Sequence, residues 1–312
     1  MELSIIINQI LVLFLMILIG FIIRKQNIIT DDIKKGFSKI LILITMPALI
    51  IKSILSIELN QEIITNIGLM TLISFLSYLF VIIISSPIAK KLNCSTKKKN
   101  VFKFLLIFGN VGYMGIPVVS AIFPEEAVVY TIINNIIFNV YLWTYGIQIF
   151  SMDKSNKTKI QWKKLINPGT IALFTGFFLL ATNIKLGPVH GTLEIMGEMT
   201  FPLSMLIIGS SLTNVSLKKI LTDKYLYYVL FLKLLIIPLA ALFLIKQFSL
   251  PVMVASIGVI MLAMPSGAIT VIFAEKFDSD YTFASEGIFF TTLLSLFSIP
   301  FFIWLIKLTL GL

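Results

Sequence analysis

Apolar residues along this chain run in long blocks, and polar residues collect in short clusters between them. Neither the alternation of a half-buried strand nor the one-sided stripe of a surface helix organises the blocks. Cutting the sequence at its charged and turn-forming clusters leaves ten segments, at about 4–23, 38–57, 63–89, 101–123, 127–150, 168–186, 195–214, 225–245, 250–274 and 283–306. Each is close to the roughly 20 residues that a helix needs to cross the hydrocarbon core. The pattern predicts an all-α membrane protein of ten transmembrane helices. The first block, Leu3–Ile23, exceeds the apolar core of a cleavable signal peptide and lacks a basic leader, so it reads as a span that stays.

Composition narrows the class. At 58% hydrophobic and 13% charged, with a mean hydropathy of +1.00, the 312 residues leave no length for a folded aqueous domain. Cys94 and His190 are the sole cysteine and histidine, so neither an intrachain disulfide nor a histidine metal cluster is expected. No Ser-His pair, HExxH helix or paired carboxylates point to catalysis. The expectation is therefore a protein that is not an enzyme and carries no cofactor or metal. Abundant Ile, Lys and Asn beside a single Arg suggest an AT-rich bacterial genome.

The net charge of +10 is topological. With the amino terminus outside, the outer loops hold Lys185, Lys246 and Lys307, and Lys52 and Lys233 fall within spans. The remaining 20 of the 25 basic residues sit in cytoplasmic loops, as the positive-inside rule demands. Ten spans then put both termini outside. A nucleic-acid role for Lys97–Lys99 has little support, and the expected partner is the bilayer.

The longest polar loop, Ser151–Asn167, lies at the midpoint. It divides the chain into a first five-helix repeat (1–150), a cytoplasmic linker loop (151–167) and a second five-helix repeat (168–312). Because five is odd, the halves are inverted in the bilayer. Thr45-Met46-Pro47 in the second span matches Thr200-Phe201-Pro202 in the seventh. Gly109-Asn110-Val111-Gly112-Tyr113-Met114-Gly115-Ile116-Pro117 in the fourth matches Gly258 and Met261-Leu262-Ala263-Met264-Pro265-Ser266-Gly267 in the ninth. Gly/Pro-interrupted helices at corresponding positions of inverted repeats mark the binding site of a secondary transporter. The alternative for the fourth span is a proline kink with close packing at its glycines. Pro47, Pro202, Pro238 and Pro300, each alone in an apolar helix, read as kinks.

Charges inside the spans carry the remaining chemistry. Lys233 falls near the midplane, where a lysine must face the bundle interior. It reads either as a counter-charge for an anionic substrate or as a cap on the negative end of a broken helix. Lys52 can snorkel or face a cavity. No span interior holds Asp, and Glu286 reads as interfacial rather than as a proton carrier. Buried lysines without buried acids favour an anionic cargo.

The run Asn110–Pro117 closely resembles the crossover motif of the auxin efflux carrier family, which includes plant auxin exporters of the PIN type and bacterial carriers assigned to malate or malonate. Pro47-Ala48-Leu49, Pro202-Leu203-Ser204, Ile208-Gly209-Ser210, Pro265-Ser266-Gly267, Phe273–Phe277 and Thr291–Ser295 with Ile299-Pro300 extend the resemblance along the chain. It implies two inverted repeats with crossing broken helices four and nine. It also implies a dimerising scaffold of spans one, two, six and seven, hence a homodimer, and a transport domain of the other spans that moves in an elevator-like way. It places Asn110 on the substrate carboxylate and a fifth-span amide beside it, Asn135 being the nearest match and Asn134 and Asn139 its rivals. The family's charged support pair in the third span has no counterpart in Ile63–Ala89.

The candidate substrate-binding set is accordingly Asn110, Met114, Gly115, Pro117, Asn135, Lys233, Pro265 and Ser266. The expected function is secondary transport of small organic anions across the cell membrane. A sodium-coupled bile-acid-like symporter and a membrane sensor on a carrier fold are the alternatives.

Overall fold

Backbone polar groups in hydrocarbon must be satisfied within the chain, and an α-helix does this segment by segment. The computed structural model describes residues 3–58, 60–151, 165–182, 184, 186–213 and 223–311, and most of its apolar stretches are helical. In chain order its helices are α1 (Leu3–Lys25), α2 (Asp31–Leu55), α3 (Gln61–Lys91), α4 (Thr96–Ile107), α5 (Val111–Ile122) and α6 (Glu125–Phe150). They continue with α7 (Pro168–Thr182), α8 (Pro188–Ser211), α9 (Lys224–Lys246), α10 (Val252–Ala263), α11 (Ile269–Lys276) and α12 (Tyr281–Leu310). No strand occurs among the described residues, and an isolated antiparallel bridge joins Gly109 to Ser266.

Among the described residues six helices, α2, α3, α6, α8, α9 and α12, are long and apolar enough to cross a membrane, and α5, α7 and α10 are shorter apolar helices. Each expected segment falls on a helix, except that the fourth and ninth fall on pairs of half-helices, α4/α5 and α10/α11. Residues 152–164 of the expected linker and Lys185 lie outside the described residues.

Proline placement explains part of the helix irregularity. Short π-helical turns at Leu41–Thr45, Val111–Gly115 and Leu232–Ile236 are each followed by a resumed α-helix with proline at its second position: Pro47, Pro117 and Pro238. Proline donates no hydrogen bond, and its ring pushes on the carbonyl four residues back. Widening the preceding turn relieves both. Pro300 lies inside α12, which continues through it.

The helices gather into two compact units, each built from both halves of the chain. The first comprises Met1–Gly68, Gly112–Ile133 and Leu165–Asn214. Within it the carboxyl half of α2 packs on α7 and α8, where Gly176 meets Ile54 and Gly197 meets the backbone of Leu49. Residues 112–133 of the fourth and fifth spans also belong to this unit. Electrostatics supplies a reason: Lys52 Nζ donates to Glu125 Oε1 at 2.7 Å and Ser53 Oγ to Glu125 Oε2 at 2.5 Å, tying the start of α6 to α2. Lys52 thus has a carboxylate partner, which the reading of span interiors did not identify.

The second unit comprises Leu69–Val111, Asn134–Lys164 and Val215–Leu312. Phe104, Phe108, Phe150 and Phe273 cluster around α4 with tilted rings, the Phe104 and Phe108 centroids 4.4 Å apart. At the start of α4, Lys97 Nζ meets Asp278 Oδ2 at 2.8 Å and Lys98 pairs with Asp223. Two of the three lysines in that run are therefore spent on holding α4 to neighbouring segments.

Candidate functional site

The candidate site lies where two helices of the second unit stop. α4 ends at Ile107, and Phe108 is extended, with φ −98° and ψ 94°. α10 ends at Ala263, and Met264 is extended, with φ −60° and ψ 141°. A helix end leaves its last four carbonyls without intrahelical donors, and hydrocarbon supplies none. Here the two breaks satisfy one another. Asn110 N donates to Pro265 O at 2.7 Å, and Gly267 N donates to Phe108 O at 2.8 Å.

Side chains complete the arrangement. Ser266 Oγ donates to Leu105 O at 2.8 Å, and Thr291 Oγ1 of α12 accepts from Ser266 N at 3.1 Å. Lys233 Nζ, from the π-helical turn of α9, donates to Leu106 O at 3.1 Å. Lys233 is only 1% exposed, and no carboxylate among the described residues forms an ion pair with it. A buried ammonium thus stands at the negative end of the α4 dipole. Of the two readings of this lysine, the cap on a broken helix has a direct contact.

The breaks approach each other closely at two glycines. A methyl group on Gly267 would sit 3.0 Å from Gly109 O, and one on Gly109 would sit 3.3 Å from Lys233 Nζ.

The expected residues separate into groups. Asn110, Lys233, Pro265 and Ser266 come together at the breaks. The half-buried Asn110 side chain has no hydrogen-bond partner among the described residues, whereas the Ser266 hydroxyl is consumed by Leu105 O. Asn135 lies in α6 one turn before Phe138, whose ring meets that of Phe108 edge to face at 5.7 Å. Met114, Gly115 and Pro117, all buried, follow Asn110 along the chain but belong to the first unit. Thr291 and the Leu105 and Leu106 carbonyls were missed. In the sequence the threonine stands out only as part of a family motif, and backbone acceptors carry no sequence signal.

A multi-pass helical chain whose broken helices meet at a buried cation and an unpartnered amide belongs among membrane transporters. Comparison with known proteins makes the assignment specific. The model of the membrane transport protein family matches residues 5–303, and the chain belongs to that family, the auxin efflux carriers. An uncharacterized transporter of Methanocaldococcus jannaschii is 24% identical over 306 residues, covering 96% of this chain and 98% of the relative. An uncharacterized transporter of Methanothermobacter thermautotrophicus is 23% identical over 293 residues, covering 94% and 96%. Both relatives are named as transporters, and the family to which this chain belongs is one of membrane transport proteins, not enzymes.

Proposed function

We propose that this transporter is a secondary carrier of small organic anions, with carboxylates such as malate, malonate or auxin-like acids as its substrates. The observation that carries the reading is Lys233, a buried cation with no ion-pair partner among the described residues, within reach of the break that presents Asn110. A carboxylate brought to this region meets a positive field and amide donors in a low dielectric, where both count for more than in water. Asn110 and Asn135 donate to the carboxylate, while the backbone at Pro265 and Ser266 shapes its seat. Gly115 and Pro117 enter this reading through the Gly/Pro break of the fourth span, and Met114 through the family motif.

The accompanying architecture is ten transmembrane helices in two inverted repeats, assembled as a homodimer, with both termini outside. Alternating access is elevator-like, with spans three, four, five, eight, nine and ten as the moving transport domain and spans one, two, six and seven as the scaffold. The topology has a direct test, because Cys94 is the sole cysteine and lies in a loop expected on the cytoplasmic side. A membrane-impermeant maleimide should label inside-out vesicles and leave intact cells unlabelled; labelling of intact cells would reverse the orientation. Burial pushes the Cys94 thiol up, so its thiolate grows as pH rises and mildly alkaline buffer speeds the reaction.

Substrate binding is tested at Asn110. Asn110→Ala should weaken carboxylate binding about tenfold, the value of one hydrogen bond to a charged group. Isothermal titration of the purified protein reads this, and undiminished affinity would remove Asn110 from the site. Uptake that disappears on removing sodium would move the protein to the sodium-coupled alternative.

A further inference from the structure

Three asparagines within two turns of α6 have different hydrogen-bond environments. Asn134 is buried, donates from Nδ2 to Ser74 Oγ at 3.0 Å, and accepts from Tyr78 OH at 3.4 Å. Both ends of its amide are held by α3. Asn139 Nδ2 donates to the backbone oxygen of Asn135 at 2.8 Å and to Asn135 Oδ1 at 3.2 Å.

These distances determine which way the Asn135 amide faces. A backbone carbonyl can only accept, so the end of Asn139 at 2.8 Å is its nitrogen. That same nitrogen can be matched at 3.2 Å only by an oxygen of Asn135. The nitrogen of Asn135 is left over, and no acceptor among the described residues engages it. Asn135 is half-buried, and Phe138, three residues on along the same helix face, touches Phe108 of the first break.

We infer that Asn139 is a positioning residue that locks the Asn135 amide with its NH2 edge free to donate, so that α6 offers an anionic oxygen a donor. The inference rests on the carboxylate reading above and adds a residue that acts through another. Without the lock the Asn135 amide turns over freely and presents its oxygen, which repels a carboxylate, for part of the time.

The test is a double-mutant cycle read by calorimetric titration of purified full-length protein with malonate, L-malate and indole-3-acetate. Asn135→Ala should weaken binding about tenfold and Asn139→Leu about threefold, the second reflecting an unlocked rather than an absent donor. In the Asn135→Ala background, Asn139→Leu should add nothing, since its effect passes through the missing amide. Thermal unfolding of each ligand-free variant checks the fold, and Asn139→Ala replaces the leucine variant if that one does not fold. Wild-type affinity in Asn135→Ala or Asn139→Leu, or an equal loss from Asn139→Leu in both backgrounds, overturns the lock and leaves the carboxylate reading standing. A wild-type protein that binds none of the three acids overturns the carboxylate reading, and the lock falls with it.

Discussion

Replacing Lys233 by methionine is expected to cut uptake by about 10- to 100-fold, the cost of one charge-assisted hydrogen bond, while the protein stays folded. Methionine keeps nearly the same length and apolar packing but takes away the charge and the donor to Leu106 O. One buried carbonyl then lacks its partner, at about 1–3 kcal/mol, which a bundle of this size tolerates. A lysine at mid-membrane costs about 2.5–3.5 kcal/mol on insertion scales, so its presence calls for a use that repays it. Kinetics separate the two uses. If the ammonium serves as substrate counter-charge, KM rises; if it holds the α4 end in place, the maximal rate falls at nearly constant KM. Wild-type uptake by the methionine variant would remove Lys233 from the transport machinery.

The second large effect concerns folding. α1 and α8 of the first unit meet backbone to backbone. A methyl group at Gly209 would lie 2.0 Å from Ile17 O and 2.9 Å from Phe21 N, and one at Gly20 would lie 2.6 Å from Leu206 O. Small residues permit such approach in membranes, where packing rather than the hydrophobic effect holds helices together. Gly209→Ala forces the helices apart and should cost about 1–3 kcal/mol, as overpacking does. Gly209→Leu should fail to yield monodisperse protein. Gly68→Ala is the control, since nothing lies within 4 Å of the added carbon. Size-exclusion melting curves read all three variants. A Gly209→Leu protein as stable as wild type would show that the two helices do not need this contact.

Much of this architecture was legible because hydropathy is a one-dimensional signal. Blocks of helix length gave the helices, and the Gly/Pro runs at Gly109–Pro117 and Met264–Gly267 foretold both breaks. What joins the breaks was not legible. Asn110 N to Pro265 O and Gly267 N to Phe108 O are backbone bonds, made by groups that every residue carries. Lys233 stood out for its depth, yet which acceptor it would meet depended on how α9 packs against α4.

The Lys52–Glu125 pair is a different kind of miss. The expected topology put both residues near the outer face, so the signal existed. Glu125 falls between the fourth and fifth expected segments, yet it opens α6. The Asn134, Asn135 and Asn139 ambiguity could not be resolved from sequence, because adjacent amides differ only in what their helix turns them toward. Ser74 and Tyr78 claim Asn134, and Asn139 takes the oxygen of Asn135, leaving Asn135 a free donor.

The central claim is that the paired breaks hold a carboxylate that is carried across the membrane. Its most direct measurement is concentration-dependent uptake of malonate, L-malate and indole-3-acetate into proteoliposomes of wild-type and Asn110→Ala protein, with and without sodium. The account predicts saturable uptake of at least one acid by the wild type, its half-saturation about tenfold higher in the variant. Saturable uptake of none of them, or identical curves for the two proteins, would contradict it.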